Sequence, residues 1–266
     1  MEINMPSEQI NWPQPSSNWS LNWHNDHSLF PNVHVWCASL DLTVNTIKTL
    51  AAILVSAELD RAARFRFVRD RNLFIAGRGF MRVILGYYLS ANPAKLEFIY
   101  GNHGKPTLGG VFAAAGLHFS LSHSENLGLL AISQVGAVGV DVENIRPLDD
   151  ADSLVNRFFS QREISSFQKL PKNAKPLAFF KLWTRKEAFL KATGEGIVHL
   201  LDQVEVSFLA DESVKLLNLP KHLGQITDWH LHNLVPASGF VGALVAPSKT
   251  AGPICWSWTP ECGFGL

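Results

Sequence analysis

The stretch Gly139-Val140-Asp141-Val142-Glu143 has the two-residue alternation of a β-strand. Since successive side chains of a strand point to opposite faces, Asp141 and Glu143 are predicted to leave one face and the valines the other. Two carboxylates on one face of a valine-flanked strand are costly unless a cation or a partner neutralises them. The pattern therefore indicates a cation site, with ordinary solvent-exposed acids as the alternative.

A helical pattern contributes a third carboxylate and a lysine. Glu187 ends the run Trp183-Thr184-Arg185-Lys186-Glu187, and Lys191 follows four residues later on the same helical face. Brought together with Asp141 and Glu143, these residues would form a site for a hard cation, of the kind that binds a phosphate through Mg²⁺. The alternative is a surface ion pair between Glu187 and Lys191, which contributes little to stability.

The composition disfavours several classes of protein. The chain has 266 residues, which allows one large or two modest domains, and 47% of them are hydrophobic, enough for a packed core. The formal net charge of +0 disfavours nucleic-acid binding through overall charge. The three cysteines form no CxxC pair, no secretory leader opens the chain, and no apolar run reaches the roughly 18 residues of a membrane helix. We therefore expect a cytoplasmic protein that binds neither membrane nor nucleic acid.

The distribution of helices and strands predicts an α+β fold. A core-facing stripe at helical spacing predicts a helix over about 70–89, and Pro176 and Gly194 mark the first turn and the cap of a second helix that reaches Thr193. Since strands are predicted after both helices, we expect two similar α/β subdomains arranged as a pseudo-dimer, with the active site in the cleft between them. The predicted divisions are an N-terminal extension (1–32), an N-terminal subdomain (33–135), a C-terminal subdomain with the metal site (136–248) and a C-terminal tail (249–266).

The run Phe119-Ser120-Leu121-Ser122-His123-Ser124 adds a histidine at the end of a predicted strand. Its hydrophobic residues point to one face, and Ser120 and Ser122 point to the other. His123 is a general base, a phosphate contact or only a cap of the strand end. No GxSxG elbow is present, so a Ser-His-acid triad is not predicted. Gly104-Lys105-Pro106 resembles a phosphate-approaching loop only loosely, because it lacks the Walker A spacing.

Taken together, the motifs resemble the 4′-phosphopantetheinyl transferases, in the two-domain type that activates peptide synthetases rather than the small trimeric type. In chain order they are GKP (104–106), FSLSHS (119–124), VGVDVE (138–143), FF..REI (158–164) and FxxLWTRKEAFLKATGxG (179–196). The similarity extends from about Arg61 to Val245, and cyanobacterial members look closest.

The resemblance implies a reaction and its cofactors. Enzymes of this family move the phosphopantetheine arm of coenzyme A onto a serine hydroxyl of an apo acyl carrier protein, or of a peptidyl or polyketide carrier domain. The other product is adenosine 3′,5′-bisphosphate. The resemblance implies Mg²⁺ as the cofactor, with Mn²⁺ as a substitute, and coenzyme A as the co-substrate. We expect a monomer, because two subdomains in one chain supply both sides of the site.

The resemblance also assigns roles to residues. Asp141, Glu143 and Glu187 match the family's Mg²⁺ ligands, and Glu187 also matches the residue that draws the proton from the carrier serine, directly or through water. The expected catalytic residues are Glu187, Lys191 and His123. The expected coenzyme A contacts are Arg61 (at the 3′-phosphate), Lys105, Pro106, Ser122, His123 and Lys191.

Two other functions use the same residues. A Mg²⁺-dependent hydrolase of coenzyme A or another pyrophosphate would have water as its nucleophile. A non-catalytic scaffold would bind coenzyme A without turnover, although the intact set of three carboxylates and Lys191 argues against decay. The sequence does not determine which carrier is modified.

Overall fold

Two β-sheets, each covered on one side by a long helix, make up most of the molecule. The computed structural model describes residues 31–195, 200–209 and 212–260, so the predicted extension 1–32 lies outside the described residues apart from its last two. The helices and strands in chain order are β1 (Val33–Ser39), α1 (Val44–Ala52), α2 (Ser56–Ala63), α3 (Val68–Tyr88), β2 (Phe98–Tyr100), β3 (Pro106–Leu108), β4 (His118–Ser124), β5 (Leu127–Ser133), β6 (Gly139–Asn144), α4 (Ala151–Phe158), α5 (Gln161–Gln168), α6 (Lys175–Thr193), β7 (Glu205–Val206), β8 (Leu216–Asn218), β9 (Trp229–Leu234), β10 (Phe240–Pro247) and β11 (Pro253–Trp258).

The first sheet has the strand order β11-β1-β5-β4, and the second has the order β6-β10-β9. Strand β1 pairs in parallel with β11 and antiparallel with β5, whereas β10 pairs antiparallel with both of its neighbours. Short hairpins join β2 to β3 and β7 to β8. Strands β4 and β6 are therefore edge strands of different sheets.

Alternation along the strands sorts the hydrophobic core into layers. In β1, Trp36 packs in the cluster around α3, whereas Val35 packs against the second sheet. From the second sheet, Val140 and Leu244 meet Val35, while Ala243 of β10 faces the cluster around α6. The period of two thus gives each sheet two buried faces. The layers follow the order α3, first sheet, second sheet, α6, which confirms the mixed α+β class.

A buried ion pair fixes α3 within the first layer. Arg82 is 1% exposed, and its Nε donates to Glu58 Oε2 of α2 at 2.7 Å. Its Nη1 donates to the carbonyl oxygens of Pro93 and Leu96 at 2.9 and 3.0 Å. A buried guanidinium with a carboxylate and two carbonyls as acceptors has its desolvation offset, so it joins α2, α3 and the turn after α3 in one geometry.

The helix α6 begins and ends as predicted. Pro176 lies in its first turn, and Gly194 caps its C-terminus in the left-handed conformation, with φ of 79°. Its close approach to β6 depends on Gly139, where an added Cβ would lie 1.9 Å from the carbonyl oxygen of Ala188. Glycine therefore lets the strand that carries Asp141 run directly against the helix that carries Glu187.

Part of the predicted C-terminal tail forms a strand of the first sheet. Pro253–Trp258 forms β11, which extends the first sheet beside β1. Trp258 is 2% exposed and packs on Phe80, with 5.3 Å between ring centroids. The alternation of Ile254, Trp256 and Trp258 is a strand signal, but its partner is a strand more than two hundred residues earlier in the chain. Within the described ranges, the helices are all too short or too polar to cross a membrane.

Stability should depend on pH through the buried His34 of β1. Its Nδ1 lies 2.5 Å from the Tyr88 hydroxyl oxygen, and burial lowers its pKa from 6.5 to about 4. Between these two values the unfolded chain binds a proton that the folded chain does not. The contribution of His34 to the free energy of unfolding is therefore complete above pH 6.5 and is lost as the pH drops toward 4. We expect a loss of about 3 kcal/mol from this residue.

Denaturant titrations of the wild type and His34→Gln across this pH range measure the effect. The variant cannot titrate at residue 34, so its stability should fall less steeply with acid than that of the wild type. Equal slopes would contradict the assignment.

Candidate active site

A cavity of about 520 Å³ opens between α2, α3, β4, the C-terminal half of α6 and the loop before β3. It brings together many of the residues that the sequence singled out, and those at its wall are Arg61, Lys105, Pro106, His123, Glu187 and Lys191. The remaining candidates, Ser122, Asp141 and Glu143, lie at the junction of β4 and β6. Ser122 and Asp141 join the cavity through contacts with Lys191, whereas Glu143 contacts Ser124 and Arg146.

Serine side chains of β4 reach across to β6, where the two sheets meet. The contacts are from the Val140 N–H to Ser120 Oγ at 3.2 Å, from Ser122 Oγ to Asp141 Oδ1 at 2.7 Å, and from the Asn144 N–H to Ser124 Oγ at 3.1 Å. Because every second residue of β4 faces the same way, the serines at 120, 122 and 124 form one row. We call this row and its partners on β6 the serine seam.

Asp141 is 4% exposed and is held on one oxygen. Its Oδ1 accepts hydrogen bonds from Ser122 Oγ and from Lys191 Nζ, each at 2.7 Å, and Lys191 Nζ also donates to Ser122 Oγ at 3.0 Å. Its Oδ2 is buried without a hydrogen-bond partner. An unpaired buried carboxylate oxygen is costly, so this atom marks a place where a ligand would be stabilising.

Glu143 lies one pleat further along β6 and is also held on one oxygen. Its Oε2 accepts from Ser124 Oγ at 2.8 Å, and Arg146 Nη1 approaches the same oxygen at 3.6 Å. Burial raises the pKa of Glu143, the hydrogen bond from Ser124 opposes this, and the charge of Asp141 raises it further.

Glu187 faces these carboxylates from α6. It is 4% exposed, and its Oε1 is buried without a partner. Burial raises its pKa to about 7, the negative charges of Asp141 and Glu143 act in the same direction, and Lys191 acts against them. The carboxyl group therefore changes its protonation near neutral pH, a property typical of residues that transfer protons.

Lys105 ties the loop before β3 to the second sheet and α6. Its Nζ donates to the carbonyl oxygen of Val138 at 3.1 Å and to that of Lys191. Burial lowers its pKa to about 8, and the charge of Lys191 contributes. Lys105 thus lines the cavity, and its amine is hydrogen-bonded to backbone carbonyls. The contact between Lys105 and coenzyme A stays a prediction.

Arginines and a histidine complete the basic wall. The guanidinium of Arg61 lies over the Phe74 ring at 5.5 Å from its centroid. Arg78 is 9% exposed and stands between the rings of Phe74 and Tyr100, at 5.6 Å from each centroid. The His123 side chain is exposed at the mouth of the cavity, and desolvation lowers its pKa, which the charges of Lys191 and Arg78 lower further.

The carboxylates suit a cation without forming a closed cage. Across the part of the chain that the structure describes, no group of three or more histidine, cysteine, aspartate or glutamate side chains is gathered closely enough to hold a metal. However, Mg²⁺ usually takes one or two protein carboxylates and completes its shell with water and substrate phosphate. The unpartnered Asp141 Oδ2 and Glu187 Oε1 are oxygen ligands of that kind.

The sequence left two residues of the site unassigned. Ser124 continues the alternation of Ser120 and Ser122, so period-two spacing alone could have placed it in the seam. Arg78 could not be chosen from among the neighbouring arginines, because helical spacing does not tell which of them a cavity will reach. Lys186, beside Glu187, proves fully buried, with its Nζ 2.5 Å from Glu163 Oε2.

Comparisons with known proteins place this site in a family. A family model described as 4′-phosphopantetheinyl transferase superfamily matches residues 137–245, and one described as 4′-phosphopantetheinyl transferase, N-terminal, matches residues 41–135. The transferase HetI of Nostoc sp. is 42% identical over 86% of this chain and 94% of its own. The transferase psf-1 of Bacillus pumilus is 34% identical over 60% of this chain and 66% of its own.

These matches, together with a mixed α+β fold that gathers acidic and basic residues at one cavity, define the class as a group-transferring enzyme. The chain belongs to the 4′-phosphopantetheinyl transferase superfamily. The resemblance that the motifs indicated, including the likeness to cyanobacterial members, is confirmed.

Replacing the uncompensated Glu187 should stabilise the metal-free protein. Since Oε1 has no partner and both neighbouring carboxylates repel the charge, Glu187→Gln should raise the free energy of unfolding above neutral pH by about 1 kcal/mol, or about 2–4 °C in Tm. Thermal unfolding in a metal chelator measures it. The control Glu125→Gln changes an exposed carboxylate paired with Arg69 and should give no gain. A Tm for Glu187→Gln at or below that of the wild type would refute the account.

Proposed function

We propose that the chain transfers the 4′-phosphopantetheine moiety of coenzyme A to a serine of an apo carrier protein in a Mg²⁺-dependent reaction. The products are the holo-carrier and adenosine 3′,5′-bisphosphate. The single observation that carries the proposal is the cavity itself, in which cationic residues face the carboxylates of the serine seam and of α6. The family match supplies the reaction class.

The charges of the cavity fit coenzyme A. A pyrophosphate and a 3′-phosphate carry several negative charges, and Arg61, Arg78 and Lys191 supply positive charge along the wall. Arg guanidinium groups suit phosphate because they donate two parallel hydrogen bonds. We assign Arg61 to the 3′-phosphate side and Lys191 to the pyrophosphate side, with Lys105, Pro106, Ser122 and His123 around the nucleotide.

We assign the metal ion, Mg²⁺ with Mn²⁺ as a substitute, to the unpartnered oxygens of Asp141 and Glu187, with Glu143 as a third ligand that would be drawn in when the ion binds. When bound, the ion supplies charge stabilisation at the pyrophosphate. The protein's own contribution is to fix Asp141 Oδ1 with Ser122 and Lys191, so that the other oxygen points to the site. Lys191 also stabilises charge that develops on phosphate oxygens.

Glu187 is the proposed acceptor of the serine proton. In the metal-free protein burial raises its pKa to about 7, so this carboxyl group can accept and hold a proton near neutral pH. The serine Oγ attacks the phosphorus that carries the pantetheine arm, and a new P–O bond forms. The bond to the 5′-phosphate of adenosine 3′,5′-bisphosphate breaks, the bridging oxygen leaves with its electron pair, and the proton passes to Glu187.

We further propose that the two predicted subdomains act as a pseudo-dimer and that the protein is an active monomer. The symmetric layer order, with α3 and α6 on the outside of two packed sheets, supports this. Both sides of the cavity come from one chain, because α2, α3 and β4 supply one side and α6 the other.

The test is intact-mass analysis of apo carrier proteins incubated with coenzyme A and Mg²⁺. Wild type should add one phosphopantetheine, and Asp141→Asn and Glu187→Gln should each reduce the rate by about 10²-fold or more, because each loses a charged group at the reacting centre. Glu125→Gln, on the surface, should retain the wild-type rate. Full activity in both site variants would sink the proposed site.

The same experiment separates the alternatives. Consumption of coenzyme A without any carrier would identify a hydrolase instead. Binding of coenzyme A without turnover on any carrier would identify a scaffold. Either outcome would replace the transfer function.

A further inference from the structure

We propose that Ser124 is a positioning residue that orients Glu143 for metal binding, an inference that rests on the function proposed above. Ser124 lies at the end of β4, and it would act on the metal only through the carboxylate of Glu143. The proposal follows from the direction of its hydrogen bonds, from a repeated arrangement on the neighbouring pair, and from a competing arginine.

The hydrogen-bond direction at Ser124 is fixed by the backbone. The Asn144 N–H donates to Ser124 Oγ at 3.1 Å, so the hydroxyl oxygen is used as an acceptor there. The hydroxyl proton is then free to point to Glu143 Oε2, 2.8 Å away. An ionised carboxylate only accepts hydrogen bonds, so the Ser124 hydroxyl is the donor to Glu143 and holds one particular oxygen of the carboxylate.

The same arrangement occurs one pleat earlier in the serine seam. Ser122 Oγ accepts from Lys191 Nζ at 3.0 Å and donates to Asp141 Oδ1 at 2.7 Å. In each pair the serine takes one carboxylate oxygen and leaves the other, Oδ2 of Asp141 or Oε1 of Glu143, unused by the contact. Both carboxylates leave the same face of β6. This is the face on which α6 packs against Gly139. In both pairs, therefore, a serine of β4 fixes one oxygen of a carboxylate of β6.

Glu143 needs this restraint more than Asp141 does. The side chain of a glutamate has one more rotatable bond than that of an aspartate. Counting side-chain atoms alone, Glu143 is 24% exposed and Asp141 is 6% exposed. The Arg146 side chain is 50% exposed, and its Nη1 lies 3.6 Å from the same Oε2, where it competes with Ser124 for that oxygen. Exposed ion pairs of this kind are weak and variable in geometry. The shorter bond from Ser124 therefore sets the position of the carboxylate.

The experiment measures binding of Mn²⁺ alone, by the loss of its free electron paramagnetic resonance signal, to the wild type, Ser124→Ala and Ser124→Thr. Groups that orient metal ligands typically contribute 10–100-fold to affinity, so Ser124→Ala should raise the Kd by about 10-fold, and Ser124→Thr, which keeps the hydroxyl, should stay within about threefold. Ser165→Ala removes an exposed serine hydroxyl on α5 that bonds to the Gln161 carbonyl, and it should leave the Kd unchanged.

A second readout separates positioning from a loss of folded protein. In the transfer assay, Ser124→Ala should raise the Mg²⁺ concentration for half-maximal rate by a similar factor. Saturating Mg²⁺ should restore kcat, and the KM for coenzyme A at saturating metal should stay at the wild-type value. A simple structural defect would lower kcat at every Mg²⁺ concentration and would overturn the proposal.

The metal-binding arm does not require turnover, so the two proposals can fail separately. Unchanged Mn²⁺ affinity in Ser124→Ala, equal losses in the alanine and threonine variants, or no Mn²⁺ binding by the wild type would each overturn the role of Ser124. A wild type whose Mn²⁺ affinity depends on the Ser124 hydroxyl but that modifies no carrier would leave this inference standing and refute the transfer function.

Discussion

The serine seam is the contact on which the active site depends. Edge strands β4 and β6 belong to different sheets, and hydroxyl groups rather than a backbone ladder join them. A hydroxyl can accept from one group and donate to another, so Ser122 and Ser124 satisfy an N–H or an amine on one side and a carboxylate on the other. The acids of β6 are thereby set from the opposite sheet. Gly139 then allows α6 to close against the same face and to bring Glu187 to them.

Opposite charges in this site are only partly neutralised. Lys191 pairs with Asp141, but Glu187 has no such partner and keeps a raised pKa. On the facing wall, Lys105 is bound to carbonyl oxygens, and Arg78 is stacked between aromatic rings. A protein loses stability by holding such groups in a partly buried cavity. That cost is understandable where a polyanionic substrate and a divalent cation bind together and offset it.

Local patterns predicted the fold class and most of the elements that carry the site. The stripe of α3, the capping residues of α6 and the alternation around Asp141 are all short-range signals, and each gave an element within a few residues of its observed limits. Contacts between segments that are distant in the chain could not be predicted from such patterns. The amine of Lys105 meets the carbonyls of Val138 and Lys191, and no spacing rule encodes this. Likewise, β11 has a strand pattern, but only tertiary pairing shows that it belongs beside β1.

The pairing of β1 with β11 also has a consequence for folding during synthesis on the ribosome. The first sheet takes its strands β1, β5 and β4 from the first half of the chain, yet its other edge is β11, which leaves the ribosome after the whole second layer. Until then β1 presents an open edge, and the aromatic cluster around Phe80 lacks Trp258. Open strand edges promote association with other chains. The nascent N-terminal half therefore stays incomplete and open to association until β11 has been made and pairs with β1.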